Sequence, residues 1–214
     1  MSSAVVLPAS AQVTGYRFYR IPKPADIAPG FNTFDVYIDF EGEYSGTQIL
    51  AYANTGYFFT PSGGSDGPPT EFVLSLVPEV AFDTFFAQGG LTHETTVGTL
   101  TIGAGGGPVN IDPELTNSVV TSTRIEIQYN PSGADFIADR KNFLIARITI
   151  SDDFNGSFLF FSSANGDLPD PISLPIVGGF VPFPDIPEPA GAAVAMGLGF
   201  ALLARTGRGG RRAI

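Results

Sequence analysis

The chain has 214 residues, 26 of them Gly and 18 Pro, a density that argues against a mostly helical protein. Nineteen Phe and seven Tyr supply a core and argue against disorder throughout, while the lack of Cys and the single His93 exclude disulfides, thiolate sites and multi-histidine zinc. The net charge is −10, yet Arg205, Arg208, Arg211 and Arg212 hold four of the 11 basic side chains; the rest of the chain, with 7 basic against 21 acidic groups, repels phosphate backbones and is not expected to bind nucleic acid.

Residues 1–12 contain Ala9-Ser10-Ala11, the small-residue pattern a signal peptidase accepts. The apolar run before Pro8 is only four residues long and the first basic residue is Arg17, so the stretch reads as the back half of a signal peptide, with Ala9 and Ala11 as the small residues of its cleavage site, whose start lies upstream. An ordinary small-residue terminus is the alternative.

From residue 13 to 165 the dominant pattern has period two. Phe34, Val36, Ile38 and Phe40 alternate with Asp35, Tyr37 and Asp39, and the same alternation recurs at Phe72, Leu74 and Leu76, at Ile125, Ile127 and Tyr129, and at Leu144, Ala146, Ile148 and Ile150. Such alternation predicts strands with one buried face. Further strands are expected at 16–21, 48–54, 97–102, 118–123 and 157–161, separated by Gly/Pro/Ser/Asp clusters at 61–69, 103–108 and 130–133 that suit turns. Residues 134–142 are the one place where one or two helical turns are expected. The fold predicted is all-β, an antiparallel β-sandwich of eight or nine strands.

After residue 165 the texture changes. Seven prolines lie between 166 and 189, and the stretch 166–186 reads as a semi-rigid, proline-rich spacer. Residues 190–204 then carry no charge and predict a short apolar helix of about 22 Å, less than the roughly 30 Å hydrocarbon core. The arginines that follow can snorkel and are held at a cytoplasmic face by the positive-inside bias. A buried core helix is the alternative, opposed by a segment that is apolar all round and set apart by a spacer.

The tripeptide Pro187-Glu188-Pro189, the apolar segment 190–204 and the basic cluster Arg205, Arg208, Arg211 and Arg212 together resemble a PEP-CTERM sorting signal. The resemblance covers residues 187–214 and rests on the three parts in order. It implies export from a Gram-negative-type bacterium, transient anchoring of the tail in the inner membrane, and removal of the signal by an exosortase. Pro187, Glu188 and Pro189 would then be the recognition element and the four arginines the stop-transfer charges. The two prolines keep the tripeptide out of helix and expose Glu188 as its one charge.

Catalytic chemistry has little to draw on. His93-Glu94 is the one pair resembling a base and its orienter, but a single His excludes H-E-x-x-H, and the position after Gly89-Gly90 suits a solvated loop. The oxygens of Asp153, Asn155 and Ser157 alternate as a calcium loop requires, making Ca²⁺ the one ion to consider. The pattern lacks the closing acidic ligand, and Asn155-Gly156 reads better as a two-residue hairpin turn. Asp35, Asp39, Glu41 and Glu43 read as a solvated strand face with its turn, and the Gly run 103–107 lacks the Lys-Ser/Thr of a phosphate cradle. The expectation is a non-enzymatic surface or matrix protein without catalytic residue, metal or cofactor, of structural or adhesive role. The alternative is a carbohydrate-binding module at extracellular polysaccharide, presenting Tyr37, Tyr16 or Phe18, and Tyr57, Phe58 and Phe59.

Overall fold

A computed structural model of the chain describes residues 13–103, 118–132, 135–166, 172–181 and 185–186. They form an all-β structure of two antiparallel sheets. The first has the order β11-β1-β2-β8-β4, from Asp185–Ile186, Val13–Ile21, Phe31–Phe40, Arg140–Ser151 and Phe85–Phe86. The second has the order β10-β9-β3-β7-β5, from Ile172–Ile176, Asn155–Ala164, Tyr44–Thr55, Arg124–Pro131 and Leu100–Ile102, with β6 (Val119–Val120) also on β7.

Period-two patterning explains why the two sheets face each other. Phe34, Val36, Ile38 and Phe40 of β2 are all buried, as are Ile125, Ile127 and Tyr129 of β7 and Phe158 and Phe160 of β9. Rings meet across the gap, Phe18 against Phe160 at 5.5 Å and Phe86 against Tyr129 at 5.9 Å. Each such side chain contributes roughly 1.5–3 kcal/mol by leaving water.

Four expectations need correcting. Residues Phe72, Leu74 and Leu76 lie not on a strand but on helix α1 (Glu71–Leu76), where Thr70 Oγ1 caps the Val73 N–H at 3.2 Å and Glu71 sits in the first turn. Alternation over five residues is short enough for a capping residue to decide the outcome. Residues 135–139 form no helix, and Arg140 already opens β8.

Residues 148–151 and 157–161 are not a hairpin either, because β8 and β9 belong to different sheets. Asp152 and Asp153 turn the corner, with Phe154 N–H donating to Ser151 O at 3.0 Å and the fully buried Phe154 ring plugging the gap beside Phe58 at 5.1 Å. Gly156 lies against the β3 backbone, where a Cβ would come within 2.1 Å of Tyr52 O.

The stretch read as a spacer supplies two strands. β10 pairs with β9 through Leu174↔Phe158 and Ile176↔Gly156, burying Leu174, Ile176 and Val181 in the main core. Pro175 is tolerated because β10 is an edge strand, where a missing N–H interrupts no inner ladder. β11 then adds to the edge of β1. The sheets therefore run past residue 165.

Candidate functional site

The outward side of the first sheet was expected to be a solvated polar face. Instead it lies beneath the long connection between β3 and β5. In β8 the pairing passes from Val36↔Ala146 to Tyr37↔Leu144, leaving Ile145 as an extra residue. That bulge turns Leu144 away from the main core, to pack with Phe85, Ala87 and Tyr37 in a second, smaller cluster.

Asp35 and Asp39 are accordingly not solvated, being 1% and 6% exposed. Arg147 clamps Asp35, Nε to Oδ1 at 2.6 Å and Nη2 to Oδ2 at 2.8 Å, while its Nη1 donates to Ala81 O at 2.7 Å. Arg17 does the same to Asp39, at 2.6 and 2.5 Å, and the Asn142 N–H adds a third bond at 2.7 Å. Burial pushes the Asp39 carboxyl up, but these hydrogen bonds and the Arg17 charge outweigh it and hold the group below its ordinary value. Both carboxylates are structural anchors.

The aromatics separate by strand register. Tyr16↔Ile38 and Phe18↔Val36 are direct antiparallel pairs, so Tyr16 and Phe18 share the inward face and lie in the core rather than outside. Phe58 is buried too. Tyr37 is half-buried on the outward face, edge to face with the exposed Tyr19 at 5.5 Å. Tyr57, 49% exposed, stands edge to face against Phe31 at 5.3 Å, and Phe31 leans on Phe59 at 4.9 Å. Phe31 in turn lines an open groove of roughly 420 Å³ with Arg20, Lys23 and Asn32. Arg20 hydrogen-bonds Asn32 Oδ1, and Asn32 Nδ2 donates to Asp152 Oδ1 at 2.7 Å, so the planar polar groups are held in place. Phe31, Arg20 and Lys23 were not singled out from sequence; Arg20 fell only within the strand expected at 16–21.

His93 is exposed on a short 3₁₀ turn (His93–Thr95), and Glu94 Oε2 accepts the Glu71 N–H at 3.1 Å, serving α1. Of the three oxygens that alternate along 153–157, that of Asn155 is occupied. Asn155 Nδ2 donates to Thr55 Oγ1 at 2.7 Å and to Asp153 O at 2.9 Å, while its Oδ1 accepts the Gly178 N–H at 3.0 Å. Asn155 thereby ties β9 to the ends of β3 and β10. Among the described residues no group of three or more His, Cys, Asp or Glu is placed to hold a metal.

One acidic group stands apart. Asp83 is 2% exposed, its Oδ2 accepts the Ser65 N–H at 3.0 Å, and its Oδ1 is buried with no hydrogen-bond partner among the described residues. Burial pushes its pKa up to about 7, the Asp66 charge adding to the rise while the Thr84 and Ser65 N–H groups oppose it. Nothing in the sequence around Asp83 marks it, because the residues that bury it come from a turn some twenty positions earlier.

Ala9, Ala11, Pro187, Glu188, Pro189, the segment 190–204 and Arg205, Arg208, Arg211 and Arg212 lie outside the described residues. Among the described residues no helix is long and apolar enough to cross a membrane. No protein-family model matches the chain, and no curated protein matches it.

Proposed function

We propose that this is an exported bacterial surface or extracellular-matrix protein of structural or adhesive role, a two-sheet β-sandwich delivered by a removable C-terminal signal. The observation that carries the reading is the order Pro187-Glu188-Pro189, fifteen uncharged residues at 190–204, then Arg205, Arg208, Arg211 and Arg212. In this reading the apolar segment holds the tail in the inner membrane while an exosortase-type enzyme takes the exposed tripeptide as its ligand, with Glu188 as the charged handle.

The body is suited to being cargo. β11 ends at Ile186, so removing everything from Pro187 onward leaves every described strand in place. Lack of cysteine makes folding independent of the redox state of the compartment. The test is Glu188→Ala in the native cells: processing stops and uncleaved chain accumulates in the membrane fraction. Normal cleavage of that variant would refute the recognition role.

The array of Tyr57, Phe31 and Phe59 beside the Arg20–Asn32 pair favours one second reading, a carbohydrate-binding module. Aromatic faces carry partial negative charge and stack on the C–H faces of sugar rings, while fixed planar donors take hydroxyl groups.

A further inference from the structure

We propose that the Asp83 carboxylate beneath the turn 61–67 and the Asp66 side chain at its rim form a divalent-cation site of the calcium type. The inference is independent of the sorting signal. It starts from a buried acidic group that the described residues do not satisfy. Among them Asp83 Oδ1 has no hydrogen-bond partner, and Oδ2 has the Ser65 N–H. Among the described residues no ion pair reaches Asp83; Arg147 is committed to Asp35 and Ala81 O. A buried, unpaired carboxylate is costly, so either a proton or a cation must complete it.

The surroundings are arranged for the cation. The turn closes directly on the carboxyl group: a Cβ at Gly64 would sit 2.0 Å from Asp83 Oδ2, so only glycine lets the backbone approach this closely. Gly64 N–H donates to Pro61 O at 3.0 Å and Ser65 Oγ to Gly67 O at 2.8 Å, which fix the turn. Asp66, exposed at its rim, directly follows Ser65, whose N–H grips the buried carboxyl at 3.0 Å. Asp66 is itself tied to β4, since its carbonyl accepts the Phe86 N–H at 2.8 Å. Two like charges held together by backbone, with one oxygen left over, form a site whose attraction for a hard cation exceeds that of either group alone. All available donors are oxygens, and an irregular turn with one exposed carboxylate suits Ca²⁺, which accepts variable geometry and water ligands, better than Mg²⁺, which demands a near-ideal octahedron. Two carboxylates correspond to the weak range of extracellular calcium modules, a Kd of about 0.1–1 mM.

The experiment is thermal unfolding of the EDTA-stripped full chain with and without about 5 mM CaCl₂, on the native protein, Asp83→Asn and Asp66→Asn. The native protein is expected to gain about 3–5 °C on adding calcium. Asp83→Asn, whose amide fills the same space without charge, is expected to melt no lower than the native protein in EDTA and to gain nothing from calcium. Asp66→Asn, altered only at the exposed rim, is expected to need about tenfold more calcium for the same shift. Absence of a calcium shift in the native protein would overturn the proposal. So would an equal shift in both variants, which would place calcium elsewhere, such as the 152–157 corner.

Discussion

Arg147 and Asp35 form a two-pronged ion pair at 2.6 and 2.8 Å, with side chains 9% and 2% exposed, on the side of the first sheet facing away from the main core. The same guanidinium lies 5.7 Å from the Phe85 ring centroid and reaches Ala81 O, so one side chain ties β2, β4 and the 3₁₀ turn Pro78–Phe82 to β8. Removing one partner strands a buried charge. Arg147→Met is expected to cost about 3–5 kcal/mol in denaturant unfolding, and Asp35→Leu in the same chain to recover most of the loss. A cost below about 1 kcal/mol for the single variant would mean that the pair behaves as a surface bridge.

The strand status of residues 172–176 is as easily checked. Leu174 and Ile176, 4% and 1% exposed, sit in the main core beside Phe158 and Phe160. Leu174→Ala is expected to destabilise the protein by about 2–4 kcal/mol in urea. A solvated spacer would register a change within about 0.5 kcal/mol.

Legibility in the sequence followed the range of the interaction. The alternation from Phe34 to Phe40 identifies β2 and its inward face, because the pattern and the packing lie within one strand. Leu144 was assigned to the wrong face since the extra residue, Ile145, exists only relative to β2. The burial of Asp35 and Asp39 depends on chain folding over them from residues far away, and the same holds for Asp83 under the turn at 64–66. Asn155-Gly156 gives the same local signal in a hairpin as in a corner between sheets; Phe154 decides for the corner by what it packs against. The candidate sugar platform was half legible. Tyr57 was named, but Phe31, which holds it and walls the groove, is brought there by register.

Two carboxyl groups give opposite pH limbs in calcium-free buffer. The Asp83 pKa is raised from 3.8 to about 7, so its contribution to stability is full below the ordinary carboxylate range and is lost as pH rises through about 7. Asp39 is lowered, so its contribution is present above the ordinary range and is lost as pH falls through the folded value. Asp83→Asn is expected to flatten the alkaline limb and to be more stable than the native protein by about 2 kcal/mol near pH 8. Arg17→Met should steepen no alkaline limb and should remove the acid one. Denaturation midpoints across about pH 3–9 measure both, and an unchanged alkaline limb in Asp83→Asn would remove that carboxyl from the explanation.

If the Tyr57 array binds sugar, Tyr57→Ala should lose at least tenfold in affinity for the native extracellular polysaccharide in affinity electrophoresis. The ring is half exposed, and its removal should change stability by less than about 1 kcal/mol. Equal retardation of the variant and the native protein would remove this surface as the binding site.

Export and processing are tested most directly by the intact mass and cellular location of the native protein, purified from its own cells, with the C-terminus sequenced. The account predicts a product in the envelope or medium that ends near Pro187–Pro189 and lacks the four arginines. A cytosolic product that retains Arg211 and Arg212 would contradict it.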